Sequence, residues 1–261
     1  MTGTSPTHAI DTLVGQLHGM PVFIAGSCVA AHTYGKQDWS DLDVFVPSQP
    51  VLFATVQHLL DMGYVPAERF DRVWARWLRY GLKGWHTNSM RLEAPNGVET
   101  NVVFKIVDGH PTTTLAQVLE SFDFGLLATG YDVEADIWRD LRPYLFPGYM
   151  LDGPLPLMPN KRDNWRNGFV SRYNGLREAG RYTKYHQYGY DMSLVKDDLV
   201  TGYQMAASYH SSRFEDEHHR LAEIYDALAD RIDADQIDEL VEFYKQLNYN
   251  DPLDDIMAAL E

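Results

Sequence analysis

Apolar positions near the start of the chain follow two different periods. Ile10, Leu13, Val14 and Leu17 recur at one-face helical spacing and predict a helix over 6–18, which Gly19-Met20-Pro21 breaks. The unbroken run Val22-Phe23-Ile24-Ala25 reads as a short buried strand ending at Gly26-Ser27, and the small apolar residues from Cys28 to His32 read as the helix that follows. Asp41-Leu42-Asp43-Val44-Phe45-Val46 predicts a second strand with acids at its start, closed by Pro47. Residues 51–62 predict an amphipathic helix ended by Gly63.

Met90 to Ala94 and Val98 to Val107 flank Pro95-Asn96-Gly97, a hairpin signal because Asn-Gly supplies the positive φ a tight turn needs. Before it, Val73 to Tyr80 is aromatic and basic, either strand or loop edge. Leu115 to Glu120 is a short helix, while Phe122 to Tyr131 is apolar enough for a buried strand or helix. Pro147, Gly148, Gly153, Pro154, Pro156 and Pro159 crowd one segment and mark a boundary. Beyond it the periodicity is helical: Leu221, Ile224, Leu228 and Ile232, then Ile237, Leu240, Val241, Tyr244 and Leu247. The expected organisation is an α/β domain over 1–146, a Pro/Gly-rich linker over 147–160 and a helical domain over 161–261.

Composition narrows the field. The 261 residues include 37 acidic and 22 basic side chains, a formal charge of −15, which disfavours duplex DNA because counterion release needs basic stripes. At 45% hydrophobic and 23% charged the chain is an ordinary globular one, long enough to bury a core without staples. The single Cys28 excludes an intrachain disulfide and fits a reducing compartment. No Lys or Arg precedes Lys36 and the nearby apolar run is short, so neither a secretory signal nor a membrane span is expected, and a cytoplasmic location is.

The segment richest in chemistry is Phe23-Ile24-Ala25-Gly26-Ser27, thirteen residues, then Asp41-Leu42-Asp43-Val44-Phe45. Gly26 lets backbone approach a ligand closely, and the N–H groups of a helix opened by Ser27 suit a phosphate. Asp41 and Asp43, two apart on a strand, project to one face. Two carboxylates on a rigid face are what a divalent metal with oxygen preference requires. Phosphate cradle and acid pair together describe a nucleoside-triphosphate site.

These two motifs resemble those of the nucleotidyltransferase superfamily, the polymerase-β-like fold: hydrophobic-Gly-[Gly/Ser], a spacer, then Asp-hydrophobic-[Asp/Glu]-hydrophobic. Val98 to Lys105 resembles the strand that carries the third carboxylate, with Glu99 in that role or Asn101, on the same face, in its position. Ser121 to Asp132 is similar to the Arg-Arg-Asp-Phe-Thr-x-Asn-Ala segment of CCA-adding and poly(A) polymerase heads, with Ser121-Phe122 where the arginines stand. The resemblance covers about residues 20–135. It implies an α+β fold, a mixed sheet with flanking helices, followed by an α-helical C-terminal domain. It also implies Mg²⁺ (or Mn²⁺) bound by Asp41, Asp43 and Glu99, one ion escorting the β and γ phosphates of the NTP and the other lowering the acceptor hydroxyl's pKa, with Glu99 able to take the proton. Gly26 and Ser27 would hold the triphosphate, and pyrophosphate would leave. The acceptor would be an RNA 3′ end ahead of a small molecule or protein. The alternative is an inactive module of this fold that binds nucleotide or a protein partner.

Two basic-aromatic stretches add candidates. Arg69, Arg72, Arg76 and Arg79 alternate with Phe70, Trp74, Trp77 and Tyr80, either stacking bases and pairing phosphates or forming an edge strand; Arg76 is the nucleotide contact taken from it. Residues 161–185 hold seven Lys or Arg against Asp163 and Glu178. Some nucleotidyltransferase-like proteins carry a similar Arg-x-x-Lys-Tyr-x-x-x-Gly-Tyr run, matched here by Arg181, Lys184, Tyr185, Gly189 and Tyr190, which implies nucleotide contacts from Arg181 and Lys184. The other reading is a helix paired with acidic neighbours. His210, His218 and His219 read as surface histidines, and the acidic stretch 215–261 as a solvated helical face.

Overall fold

A computed structural model describes residues 4–67, 89–107, 109–166, 178, 181–182, 184–199 and 201. The stretch 69–80 with Arg76, the cations Arg166, Arg172 and Arg177 as side chains, the three C-terminal histidines and both C-terminal helical patterns lie outside the described residues. The chain divides into two units. The first comprises residues 1–122 and 126–147, and the second comprises 123–125 and 148–261.

The first unit is α+β. In chain order it contains α1 (Pro6–Gln16), β1 (Phe23–Ala25), α2 (Ser27–Thr33), β2 (Leu42–Phe45), α3 (Gln49–Asp61), β3 (Val65–Pro66), β4 (Ser89–Glu93) and β5 (Glu99–Val103). There follow β6 (Ile106–Val107), β7 (His110–Pro111), α4 (Leu115–Glu120), β8 (Thr129–Asp132), β9 (Ile137–Asp140) and α5 (Arg142–Leu145). Local chemistry sets the helix starts. Ser5 and Ser48 cap α1 and α3 through their hydroxyls, each with a proline in the first turn, and Thr114 and Gln117 close a capping box on α4.

Seven strands form one mixed sheet in the order β3-β4-β5-β2-β1-β8-β9. β2 and β5 run parallel, and every other neighbouring pair is antiparallel. The hairpin over Pro95-Asn96-Gly97 is present between β4 and β5, with Gly97 at φ 79°. The stretch expected as one strand over 98–107 divides. The ladder ends at Val103, and the Lys105 carbonyl turns to accept from the Thr112 amide at 2.9 Å, so Ile106–Val107 pairs with His110–Pro111 in a separate ribbon. The undecided stretch 122–131 is a 3₁₀ turn over Gly125–Leu127 followed by β8.

Alternation gives the sheet two unlike faces. Ile24, Leu42, Val44, Met90, Leu92 and Val102 pack with Ile10 and Leu13 of α1, Val29 of α2 and Leu52, Val56 and Leu59 of α3. On the other face, Phe23, Ala25 and Phe45 pack against Leu115, Val118 and Leu119 of α4. α4 lies close to β8: a Cβ at Gly130 would stand 2.8 Å from Leu115 Cδ1 and 3.1 Å from Leu119 Cδ2. Beyond α4, the β2–β5–β4 part of this face carries polar side chains.

The described part of the second unit includes α6 (Pro159–Arg166) and helical residues at 184–187 and 193–199. Phe124, Tyr185 and Tyr190 meet edge to face, with centroids 5.7 Å apart in each contact with Tyr185. Asp198, 1% exposed, accepts from Arg162 Nε at 2.8 Å and from the Leu157 amide at 3.2 Å, so its buried charge is paired and hydrogen-bonded. Among the described residues no helix is long and apolar enough to cross a membrane.

The tight α4–β8 approach makes Gly130 a packing test. Gly130→Val should lower stability by about 1–3 kcal/mol, the usual cost of overpacking, read as a lower urea midpoint with an unchanged slope.

Candidate functional site

β2 brings the acid pair to the polar face. Leu42 and Val44 are buried in the core under α1 and α3, so Asp43 is turned to the opposite side, with Asp41 one residue before the strand. Register then fixes the neighbours of Asp43. It stands opposite Ala25 on β1 and Asn101 on β5, and Asn101 in turn stands opposite Arg91 on β4. Asn101 Nδ2 donates to Asp43 Oδ1 at 3.1 Å. The row Arg91–Asn101–Asp43–Ala25 therefore crosses four strands on one face.

Gly26 determines how close the carboxylate comes to the β1–α2 turn. Its backbone, at φ 95° and ψ −155°, occupies a region that essentially only glycine adopts. A Cβ here would overlap Asp43 Oδ2 and lie 3.2 Å from Asp43 Cγ. The glycine thus serves two needs, an unusual turn and the seating of Asp43 directly against it.

Ser27 opens α2, as its position predicted, and its side chain is held from the loop before β2. It is buried, and its hydroxyl meets Ser40 Oγ at 3.1 Å and donates to the Asp41 carbonyl at 3.4 Å. Ser40 Oγ donates in turn to Asp41 Oδ1 in a short contact. These serines fasten the segment leading into β2 and orient Asp41. Ser40 carried no signal in the sequence, since a serine before a strand is unremarkable.

The remaining candidates divide. Glu99 shares the polar face but pairs with Arg91, Nη1 to Oε1 at 2.9 Å, and it is Asn101 that occupies the position beside Asp43. Arg91 was not among the residues singled out; its place in this row depends on strand order, which periodicity does not carry. In the second unit, Arg181 pairs with Asp123 in a short contact and approaches Glu178 Oε1 at 3.7 Å, while Lys161 reaches Asp123 at 3.2 Å. Lys184 lies over the rings of Tyr185 and Tyr188, 5.8 and 5.9 Å from their centroids. Arg76 lies outside the described residues.

The donor set decides what ion the face suits. Among the described residues, no three or more His, Cys, Asp or Glu side chains gather as a metal-holding group. Asp41 and Asp43 offer oxygen donors of the kind a divalent ion prefers, two carboxylates where the resemblance implies three. A three-carboxylate set including Glu99 does not assemble in this arrangement. A separate cavity of about 220 Å³ lies on the α1 side of the sheet, lined by Thr12, Gln16, Leu42, Tyr64 and Asn96 among others; it belongs to the face opposite Asp43.

No family model matches this chain, and no curated protein matches its sequence. The functional reading therefore stands on the motifs and on this geometry.

Two predictions follow from the packing at Gly26. Gly26→Ala should cost about 2 kcal/mol or more through strain and overlap. In an Asp43→Ala background the overlap part disappears, so a double-mutant cycle by urea unfolding should show coupling of about 1 kcal/mol; additive costs would mean that the two residues do not press on each other. Cys28 is buried, and burial foremost, then the charges of Asp41 and Asp43, pushes its thiol well above the ordinary range. It should resist a disulfide reagent at about pH 8 in the native protein and react fully after unfolding in urea.

Proposed function

We propose that the protein is a metal-dependent nucleotidyltransferase that moves a nucleoside monophosphate from an NTP to an acceptor hydroxyl and releases pyrophosphate. The observation that carries this reading is the seating of Asp43 against Gly26, with Asp41 beside it, on the polar face of a mixed sheet. It supports the reading because a strand–Gly–helix turn and an Asp pair at the start of the next strand meet in one place.

Asp41 and Asp43 would hold a Mg²⁺ or Mn²⁺ ion. When bound, such an ion neutralises phosphate oxygens and favours charge build-up on the departing group. The chain's own residues supply position. Ser27 and Ser40 hold Asp41, Asn101 holds Asp43, and Gly26 lets the Asp43 carboxylate sit directly against the turn. The acceptor oxygen bonds to the α-phosphorus as the bond to pyrophosphate breaks, and the hydroxyl's proton passes to solvent. An RNA 3′ end is the favoured acceptor class, ahead of a small molecule or protein, and the buried lone cysteine suits a reducing cytoplasm.

A second reading rests on Asn101 and the Arg91–Glu99 pair, which leave two carboxylates rather than three beside the glycine turn. They favour a module that kept the scaffold to bind nucleotide or a protein partner without catalysis.

The two readings separate in one assay. Purified protein is incubated with each of four α-labelled NTPs, Mg²⁺ or Mn²⁺, and a cell lysate as acceptor source. Label should transfer with the wild-type chain and fall about 10³-fold in Asp43→Asn, the scale of several kcal/mol of lost transition-state stabilisation. Full transfer by Asp43→Asn overturns the proposal. Partner or nucleotide binding that persists in Asp41→Asn and Asp43→Asn, with no transfer by wild type, selects the second reading.

A further inference from the structure

We infer that the cavity on the α1 side of the sheet is a binding site for a small uncharged heterocycle that carries carbonyl and N–H groups, of the size of a pyrimidine base. The cavity lies on the face opposite Asp43, so the inference is independent of the cation reading above.

Helix α1, the start of β2 and the β4–β5 hairpin enclose the cavity, together with Tyr64 from the segment before β3. Its floor is apolar and buried: Ala9, Leu42, Ala94 and Val98 are each at most 7% exposed. A volume of about 220 Å³ is room for about seven waters at their share of the liquid. Water against such a floor finds few hydrogen-bond partners, and a ligand with an apolar edge displaces it favourably.

The rim sets the polarity of the ligand. The Tyr64 hydroxyl donates to Gln16 Oε1 at 2.6 Å, and the Val98 amide donates to Asn96 Oδ1 at 3.2 Å. Each contact engages the oxygen of a side-chain amide, so the NH₂ end is what Gln16 and Asn96 offer to a ligand. These two donors come from different elements, α1 and the hairpin, and call for two acceptors on the ligand. Thr12 donates its hydroxyl proton to the His8 carbonyl at 2.7 Å, so the Thr12 and Tyr64 oxygens are left to accept from a ring N–H. Among the described residues no charged side chain lines the cavity, and neither an anion nor a cation would be compensated there. An uncharged ring with two carbonyl oxygens and ring N–H groups meets each of these requirements.

The test is a titration of the full isotope-labelled chain with uracil to millimolar concentration, followed by backbone amide shifts in NMR. Saturable shifts should centre on Gln16, Leu42, Tyr64 and Val98. Benzene, which lacks the acceptors, and benzoate, which carries a charge, should bind about tenfold more weakly or not at all. Gln16→Glu keeps the oxygen that Tyr64 donates to, and Asn96→Asp keeps the oxygen that caps Val98, while each removes an NH₂ donor. Both variants should therefore fold and bind uracil about tenfold more weakly. Absence of a saturable shift, shifts centred elsewhere, equal affinity for benzene or benzoate, or an unchanged affinity in Gln16→Glu or Asn96→Asp each overturn the inference. The three-ligand comparison on the wild-type chain decides the matter even where a variant does not fold.

Discussion

The contact between Gly26 and Asp43 is the constraint on which the arrangement of this face depends. Antiparallel pairing of β1 with β2 sets Ala25 opposite Asp43, and the turn that leaves β1 then runs directly under the carboxylate. A side chain at position 26 would occupy the space of Asp43 Oδ2, and a non-glycine backbone would not take the turn. The strand that ends at Gly26 and the strand that carries Asp43 are thereby locked in one register. A slip by one residue would bury Asp43 and expose Leu42 and Val44, which the core under α1 and α3 forbids.

That lock turns an apolar scaffold into a polar site. Among the described residues, one face of the sheet is filled by three helices, and on the other α4 packs against Phe23, Ala25, Phe45 and Gly130. The face continues over β5 and β4 with Asn101, which donates to Asp43, and with Glu99, which pairs with Arg91. Function, in this reading, occupies the part of the sheet that packing leaves polar.

Much of the fold was legible because the elements near the site carry strong local signals. The Pro95-Asn96-Gly97 turn, the run Val22 to Ala25 and the alternation of Asp41 to Val46 each correspond to an observed element within a residue or two. Helix α4 lies where the sequence put it. Strand β9 was missed because three of its four residues are exposed and it has no alternation to read. Strand order was also beyond local pattern: nothing in residues 98–107 says that they run parallel to β2. The same gap explains the candidate third acid. Glu99 and Asn101 lie on one face of one strand, so alternation does not separate them; only the register with β2 puts Asn101 beside Asp43 and leaves Glu99 to Arg91. Ser27 was correctly placed at a helix start, but the direction of its hydroxyl depends on Ser40, thirteen residues away.

The most direct test of the central claim is where a paramagnetic cation binds. Backbone amide resonances of the labelled chain are followed by NMR as Mn²⁺ is added in substoichiometric amounts. If the Asp41–Asp43 face is the cation site, broadening begins at Gly26, Ser40, Asp41, Asp43 and Asn101, and this early broadening is lost in Asp43→Asn. Broadening that begins elsewhere, or that is the same in wild type and Asp43→Asn, would contradict the account.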